Sequence, residues 1–521
     1  MTPESAYFEL ISRSRDVSLL ASCADLLDWD EETYMPAGGA EHRSRQRALL
    51  AGIVHDRFTD PRIGELLDVL RDSSVVSDPQ SVAAVNVREL RRDFDRERKV
   101  PRSLVEELAR VTTIAQHEWI AARRDADFAR FRPWLEQIVS LKRNEAEAVG
   151  YRELAYDALL DDYEPGVTCR DYERLFAALR VALVPLVEAI DGAERRPDST
   201  LLERGYPIER QRQLGERVAA MVGFDFEGGR LDTSAHPFSA HIGPGDCRLT
   251  TRYRTEDFSD ALLSTLHEVG HGLYDQGLDV EHFGTPLGSA GTMGLHESQS
   301  RLWENRLGRS RGFWAHVFPI VRELFPGSLR EVESDDLYFA VNDVRRSPIR
   351  VEADEVTYNL HPMIRFELER DLMSGALDVA DVPDAWNELY RRHLGITPAD
   401  DGEGCLQDSH WSGGLIGYFP AYSLGDVCSA QLFAQADKEL GGLDTAFERG
   451  EFRPLLEWMR ERVHRHGRRY TAATMMRAVV GNAPEPAALI QILRGKYGQL
   501  YGVVPPMSRS LPIAAAAQPE P

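Results

Sequence analysis

His267-Glu268-Val269-Gly270-His271 has the residue types and the spacing for metal-assisted hydrolysis. On a helix, two histidines four positions apart project from one face, so both imidazoles can reach one cation. Glu268 lies beside them, placed to take a proton from a water held there. The flanking residues predict that helix. Leu262, Leu263, Leu266, Val269 and Leu273 recur at helical spacing, and Gly277 ends the run. The alternative is a helix whose two histidines are solvated or hydrogen-bonded and bind nothing.

A catalytic cation also needs a third protein ligand and one open position. His296-Glu297-Ser298-Gln299 is the best source, because Arg301 to Asn305 reads as a helix and the glycine-rich stretch from Gly284 to Gly294 suits a loop returning toward His271. Glu297 is the expected ligand. Its competing role is a surface ion pair with Arg301, four residues on.

The elements that must position these residues are mostly helices. From the N-terminus to about residue 220 the periodicity is helical. Leu104, Leu108, Val111, Ala115 and Trp119 recur at three- and four-residue steps, and Ser103 with Glu106 predicts a capping box. Between Gly223 and Tyr253 glycine, proline and β-formers cluster, and Arg248 to Tyr253 predicts a strand. Helical periodicity returns at Asp260 and continues to about Tyr497. The expected fold is all-α with a small β insert, one unit over residues 1–505, and a disordered Pro/Ala/Ser-rich tail over 506–521.

The 521 residues carry a net charge of −23, which disfavours nucleic acid and anionic membranes as partners. No apolar run approaches the ~18 residues of a membrane span. The N-terminus lacks a basic region followed by an apolar stretch, so a cytoplasmic location is expected. Five scattered cysteines without a Cys-x-x-Cys pair read as free thiols in a reducing compartment.

Beyond the metal motif, a series of short signatures resembles the carboxypeptidase Taq family of metallocarboxypeptidases. They are His236-Pro237-Phe238, Asp246-Cys247-Arg248-Leu249-Thr250, His267 to His271, His296 to Gln299, Ile349 to Asp354 and Gly404 to Trp411, in the family's order. Leu27 to Asp30, Tyr156 to Leu160 and Phe419 to Gly425 are also similar, and the likeness extends to about Tyr501. The resemblance implies an all-helical fold with a long deep groove, related to neurolysin and angiotensin-converting enzyme, with a three-stranded sheet beside the active site. It further implies a homodimer and a zinc ion that cobalt can replace. The activity it implies is removal of single C-terminal residues with broad specificity, proline being disfavoured.

Within that resemblance each residue takes an expected role. His267, His271 and Glu297 hold the metal, and Glu268 is the general base. Arg350 pairs with the substrate's terminal carboxylate, with Arg248 as the second choice, because a guanidinium forks onto a carboxylate. His236, His410 and Tyr422 are expected donors to the oxyanion. Asp408 is expected to orient His410 or a ligand imidazole. Asp275 could do the same, although a surface position is expected for it. An endopeptidase or dipeptidyl carboxypeptidase of the neurolysin-like group, and an inactive peptide-binding scaffold, are the competing functions.

Overall fold

A computed structural model describes residues 1–504. The expected tail over 506–521 lies outside the described residues. The chain opens with α1 (Pro3–Thr33), where Thr2 Oγ1 accepts from the Ser5 N–H and Pro3 presets the first turn. It continues through α2 (Ala40–Phe58), α3 (Pro61–Leu70) and α4 (Val82–Glu97). These N-terminal helices have a small core of their own, in which Ala6 and Leu10 of α1 meet Leu66 and Leu67 of α3 and Leu90 and Phe94 of α4. Of α2 only the last residue, Phe58, packs against it. Ion pairs from Arg43 to Asp30 and from Arg47 to Glu31 also tie α2 to α1.

α5 (Arg102–Asp125) corrects one expectation. Its first turn already encloses Ser103, because the Leu104 and Val105 N–H groups donate to the Pro101 carbonyl. Pro101 is therefore the cap, and Glu106 pairs with Arg102 at 2.8 Å rather than closing a capping box with Ser103. α6 (Phe128–Val149), α7 (Ala155–Tyr163), α8 (Cys169–Asp191) and α9 (Ile208–Val222) follow. A capping box does form at α8, between Thr168 and Asp171.

The β insert is a three-stranded sheet of β1 (Gly229–Thr233), β2 (Ser239–Gly243) and β3 (Asp246–Thr251), in the order β1-β3-β2. β3 pairs in parallel with β1 and antiparallel with β2. It covers most of the strand expected from Arg248 onward. α10 (Phe258–Asp275) then starts at Asp257, whose carboxylate accepts from the Ser259 and Asp260 N–H groups. The apolar face expected of α10 is buried against the sheet and α9, and so is most of its opposite face.

α11 (Met293–Arg301) begins earlier than the glycine-rich stretch suggested, with Thr292 as its cap, and widens into a π turn over Leu302–Leu307. Helices α12 to α20 occupy residues 311–501, among them α14 (Leu360–Ser374) and α16 (Phe419–Leu440). One large core runs from Val111 on α5 to Tyr501 on α20. The fold is thus helical with a small mixed sheet, as expected. Among the described residues no helix is long and apolar enough to cross a membrane. The five cysteines are all unpaired, four of them buried.

α10 and α11 approach each other closely in this core. A Cβ on Gly270 would lie 2.6 Å from the Gln299 carbonyl oxygen and from the Ser300 Cα. Gly270→Ala should therefore cost about 2 kcal/mol through overpacking. Thermal unfolding measures it, and an unchanged melting temperature would mean that the two helices separate freely.

Candidate active site

α10 and α11 cross where the expected metal ligands lie. His267, Glu268 and His271 project from α10, and Glu297 comes up from α11, its side chain only 1 % exposed. One oxygen of Glu297, Oε2, faces both imidazoles, 3.8 Å from His267 Nε2 and 3.5 Å from His271 Nε2. Ligands on a tetrahedral zinc with bonds of 2.0–2.1 Å stand roughly 3.3 Å apart. The three atoms therefore fit such a cation with a small inward adjustment. Among the described residues this is the one group of His, Cys, Asp and Glu side chains close enough to share a metal.

The approach of α11 depends on absent side chains. A Cβ on Gly425 of α16 would lie 2.6 Å from the Glu297 Cβ. A Cβ on Gly294 would collide with Glu164, whose carboxylate accepts from the Gly294 N–H at the start of α11. Burial pushes the Glu164 carboxyl up to about 7.

Two residues outside the expected set orient the ligands. Glu304, on the π turn, accepts from His267 Nδ1 at 2.8 Å, which leaves the Nε2 lone pair facing Glu297. Arg301 donates from Nε to Glu297 Oε1 at 2.7 Å and reaches Glu304 at 3.4 Å. The expected alternative for Glu297, an ion pair with Arg301, thus exists, but it is buried and occupies only the oxygen turned away from the histidines. Spacing carried a signal for both residues, since positions four and seven after Glu297 share its helical face. Their partners on α10 were not readable.

His271 stacks on His296, with ring centroids 4.5 Å apart and planes at 18°. Asp275 holds His296 through its Nε2 at 3.2 Å. Asp275 is buried, which corrects the surface position expected for it, and it braces the neighbour of a ligand rather than a ligand. Burial and the His296 charge push His271 down to about 4, leaving it a neutral donor. Burial opposes ionisation of Glu297, but the charges of Arg301 and His267 outweigh it and hold the carboxyl well below the usual range. Burial raises Glu268 to about 7 against the pull of His267.

The ligands open onto a groove of about 2970 Å³. His236, Arg350, His410 and Tyr422 line the same groove. His236 lies at its edge between β1 and β2, exposed, with Nδ1 3.3 Å from the Pro237 carbonyl. His410 Nε2 contacts the Tyr422 hydroxyl at 3.0 Å, and its ring stacks on Phe419. Burial and the Arg350 charge push His410 down to about 3, so it remains neutral.

Arg350 is buried, with its guanidinium over the rings of Tyr422 at 5.0 Å and Phe419 at 5.6 Å. Its Nε and Nη2 are both 2.9 Å from Asp408 Oδ1. Asp408 Oδ2 is held by Arg365 at 2.8 Å. Asp408 therefore clamps two arginines and does not orient His410, correcting that expectation. Arg248 is also corrected. Its fork is used on Asp246, with two contacts of 2.7 Å, and it packs over Trp29 at 4.3 Å, apart from the groove lining.

With this geometry in hand, the likeness to known proteins is informative over nearly the whole chain. The carboxypeptidase Taq (M32) metallopeptidase family matches residues 9–497. Thermostable carboxypeptidase 1 of Thermus thermophilus is 48% identical, covering 96% of this chain and 100% of that protein. Carboxypeptidase 1 of Bacillus subtilis is 37% identical, covering 96% and 99%. The crystal structure of an M32 carboxypeptidase from Deinococcus radiodurans R1 superposes with a TM-score of 0.91 at 43% identity, covering 96% of this chain and 100% of that one. The chain belongs to the carboxypeptidase Taq (M32) metallopeptidase family and is a metallocarboxypeptidase.

Proposed function

We propose that this enzyme uses zinc to release single C-terminal residues from peptides, accepting many side chains and disfavouring proline at the cleaved position. The observation that carries this reading is the arginine, Arg350, facing the same groove as the His267–His271–Glu297 cluster. Two imidazoles and one carboxylate suit zinc, and cobalt accepts the same donor set. When bound, the cation supplies a Lewis acid that activates water and polarises the scissile carbonyl.

The chain's own residues do the rest. His267, His271 and Glu297 hold the cation, and Glu304 keeps His267 in the tautomer with its proton on Nδ1. Glu268 takes the proton from the attacking water and passes it to the departing amine. The part of the Arg350 guanidinium not held by Asp408 pairs with the terminal carboxylate. Tyr422 donates its hydroxyl hydrogen to the developing oxyanion and His410 orients that hydroxyl, while His236 is the alternative donor from the groove edge. The size of the groove supports broad side-chain acceptance. Disfavour of proline and action as a homodimer rest on the family resemblance. A cytoplasmic location is supported by the five unpaired thiols.

Digestion of a synthetic peptide, followed by mass spectrometry, tests the exopeptidase reading. The expected result is a ladder falling by one C-terminal residue at a time, abolished by chelation and restored by zinc or cobalt. Internal cuts or released dipeptides would support the neurolysin-like alternatives. Glu268→Gln should keep stoichiometric zinc and lose about 10³-fold in kcat; substantial turnover would remove Glu268 from its role. Glu304→Ala should weaken zinc binding by roughly 10- to 100-fold, measured by chelator competition. Wild-type affinity would mean that His267 needs no support from Glu304.

A further inference from the structure

Tyr358 touches both halves of the groove's charge machinery. It lies in the turn that leads into α14, buried to 5 % exposure and lining the groove. The turn holds it firmly. The Asp354 carboxylate accepts from the Val356 N–H at 2.8 Å, the Thr357 N–H at 3.0 Å and the Thr357 hydroxyl at 2.6 Å. Glu355, three residues before Tyr358, is fixed by Arg306 at 2.7 Å and Lys496 at 2.8 Å.

From this position the face of the ring packs against the Arg301 guanidinium, whose centre is 3.7 Å from the ring centroid. Its hydroxyl oxygen accepts from Arg350 Nη1 at 3.3 Å. Arg301 grips the oxygen of Glu297 that turns away from the histidines. One rigid side chain therefore spans the guanidinium that steadies a metal ligand and the guanidinium that faces the groove. Nothing in the expected chemistry of the zinc motif requires such a bridge.

We propose that Tyr358 is a positioning residue that fixes the separation between the metal-ligating Glu297 and the carboxylate-reading Arg350, and so sets which bond from the C-terminus is cut. The inference rests on the reading of Arg350 given above. One residue of extended chain spans about 3.6 Å at most. A displacement of Arg350 by ~1 Å is thus about a quarter of the difference between cutting one residue and cutting two from the end, and such a misplacement can cost about 10²-fold in rate.

The experiment compares an N-acylated dipeptide with its C-terminal amide as substrates for the full-length, zinc-loaded protein. Zinc affinity is measured in parallel by chelator competition. Tyr358→Phe should lower the preference for the free acid about tenfold, mainly through KM, with zinc affinity within about twofold of wild type. Tyr358→Leu, which also removes the ring from Arg301, should lower the preference and weaken zinc binding about tenfold. An undiminished preference in Tyr358→Phe would overturn the proposal, as would zinc binding that is equally altered, or equally unaltered, in both variants. Arg350→Met separates the two levels, with Arg350→Lys in its place if the first does not fold. A preference lost there but kept in Tyr358→Phe leaves Arg350 as the carboxylate reader and removes only Tyr358. A preference kept in the Arg350 variant removes both.

Discussion

Arg301 is the charge on which the metal centre depends. Two carboxylates, the buried Glu297 and the partly buried Glu304, sit beside it among two imidazoles and Glu268. Removing an ionised carboxylate from water costs several kcal/mol unless opposite charge and hydrogen bonds replace the solvent. The Arg301 guanidinium meets both, 2.7 Å from Glu297 and 3.4 Å from Glu304. With Arg301 in place, Glu297 can stay ionised, present one oxygen to the histidines and bind a divalent cation without first losing a proton. A bound cation would supply the second half of the compensation. Glu304, kept ionised in the same way, fixes the tautomer of His267.

The same logic recurs at Arg350 in the wall of the groove. Arg350 and Arg365 share a single anion, Asp408. Two guanidiniums and one carboxylate leave one positive charge uncompensated, and Arg350 is the member of the triad that lines the groove. A buried cation of this kind has an electrostatic need that a peptide's terminal carboxylate would meet. The aromatic rings of Phe419 and Tyr422 beside Arg350 hold it at low cost in conformational freedom.

Both charge clusters require helices that come unusually close. Gly270 on α10 leaves room for the α11 backbone, and Gly425 on α16 leaves room for Glu297 itself. A side chain at either position would push the ligand helix outward and open the triangle formed by His267, His271 and Glu297. The π turn after Arg301 serves the same end. From it Glu304 faces His267, while Arg306 faces Glu355 and Asp426 in the core at 2.7 and 2.9 Å.

The sequence by itself determined the helical fold, the sheet insert and the His267–His271–Glu297 candidate cluster, because each is encoded locally. Apolar residues at helical spacing specify α10. Two histidines four apart share a face of any helix, and the carboxylate of Glu297 is recognisable from its motif. Contacts between segments far apart in the chain were decided only by the tertiary structure. Which carboxylate would stand behind His267, which anion would hold Arg350 and Arg365, and whether Asp275 would be buried all depend on how distant segments dock. Ser103 shows the same limit at short range, since the helix begins two residues earlier once Pro101 supplies its carbonyl. Arg248 and Arg350 look alike as isolated arginines in family-like motifs. Only their neighbours, Asp246 with Trp29 for one and the open groove for the other, separate a structural pair from a cation that lines the groove.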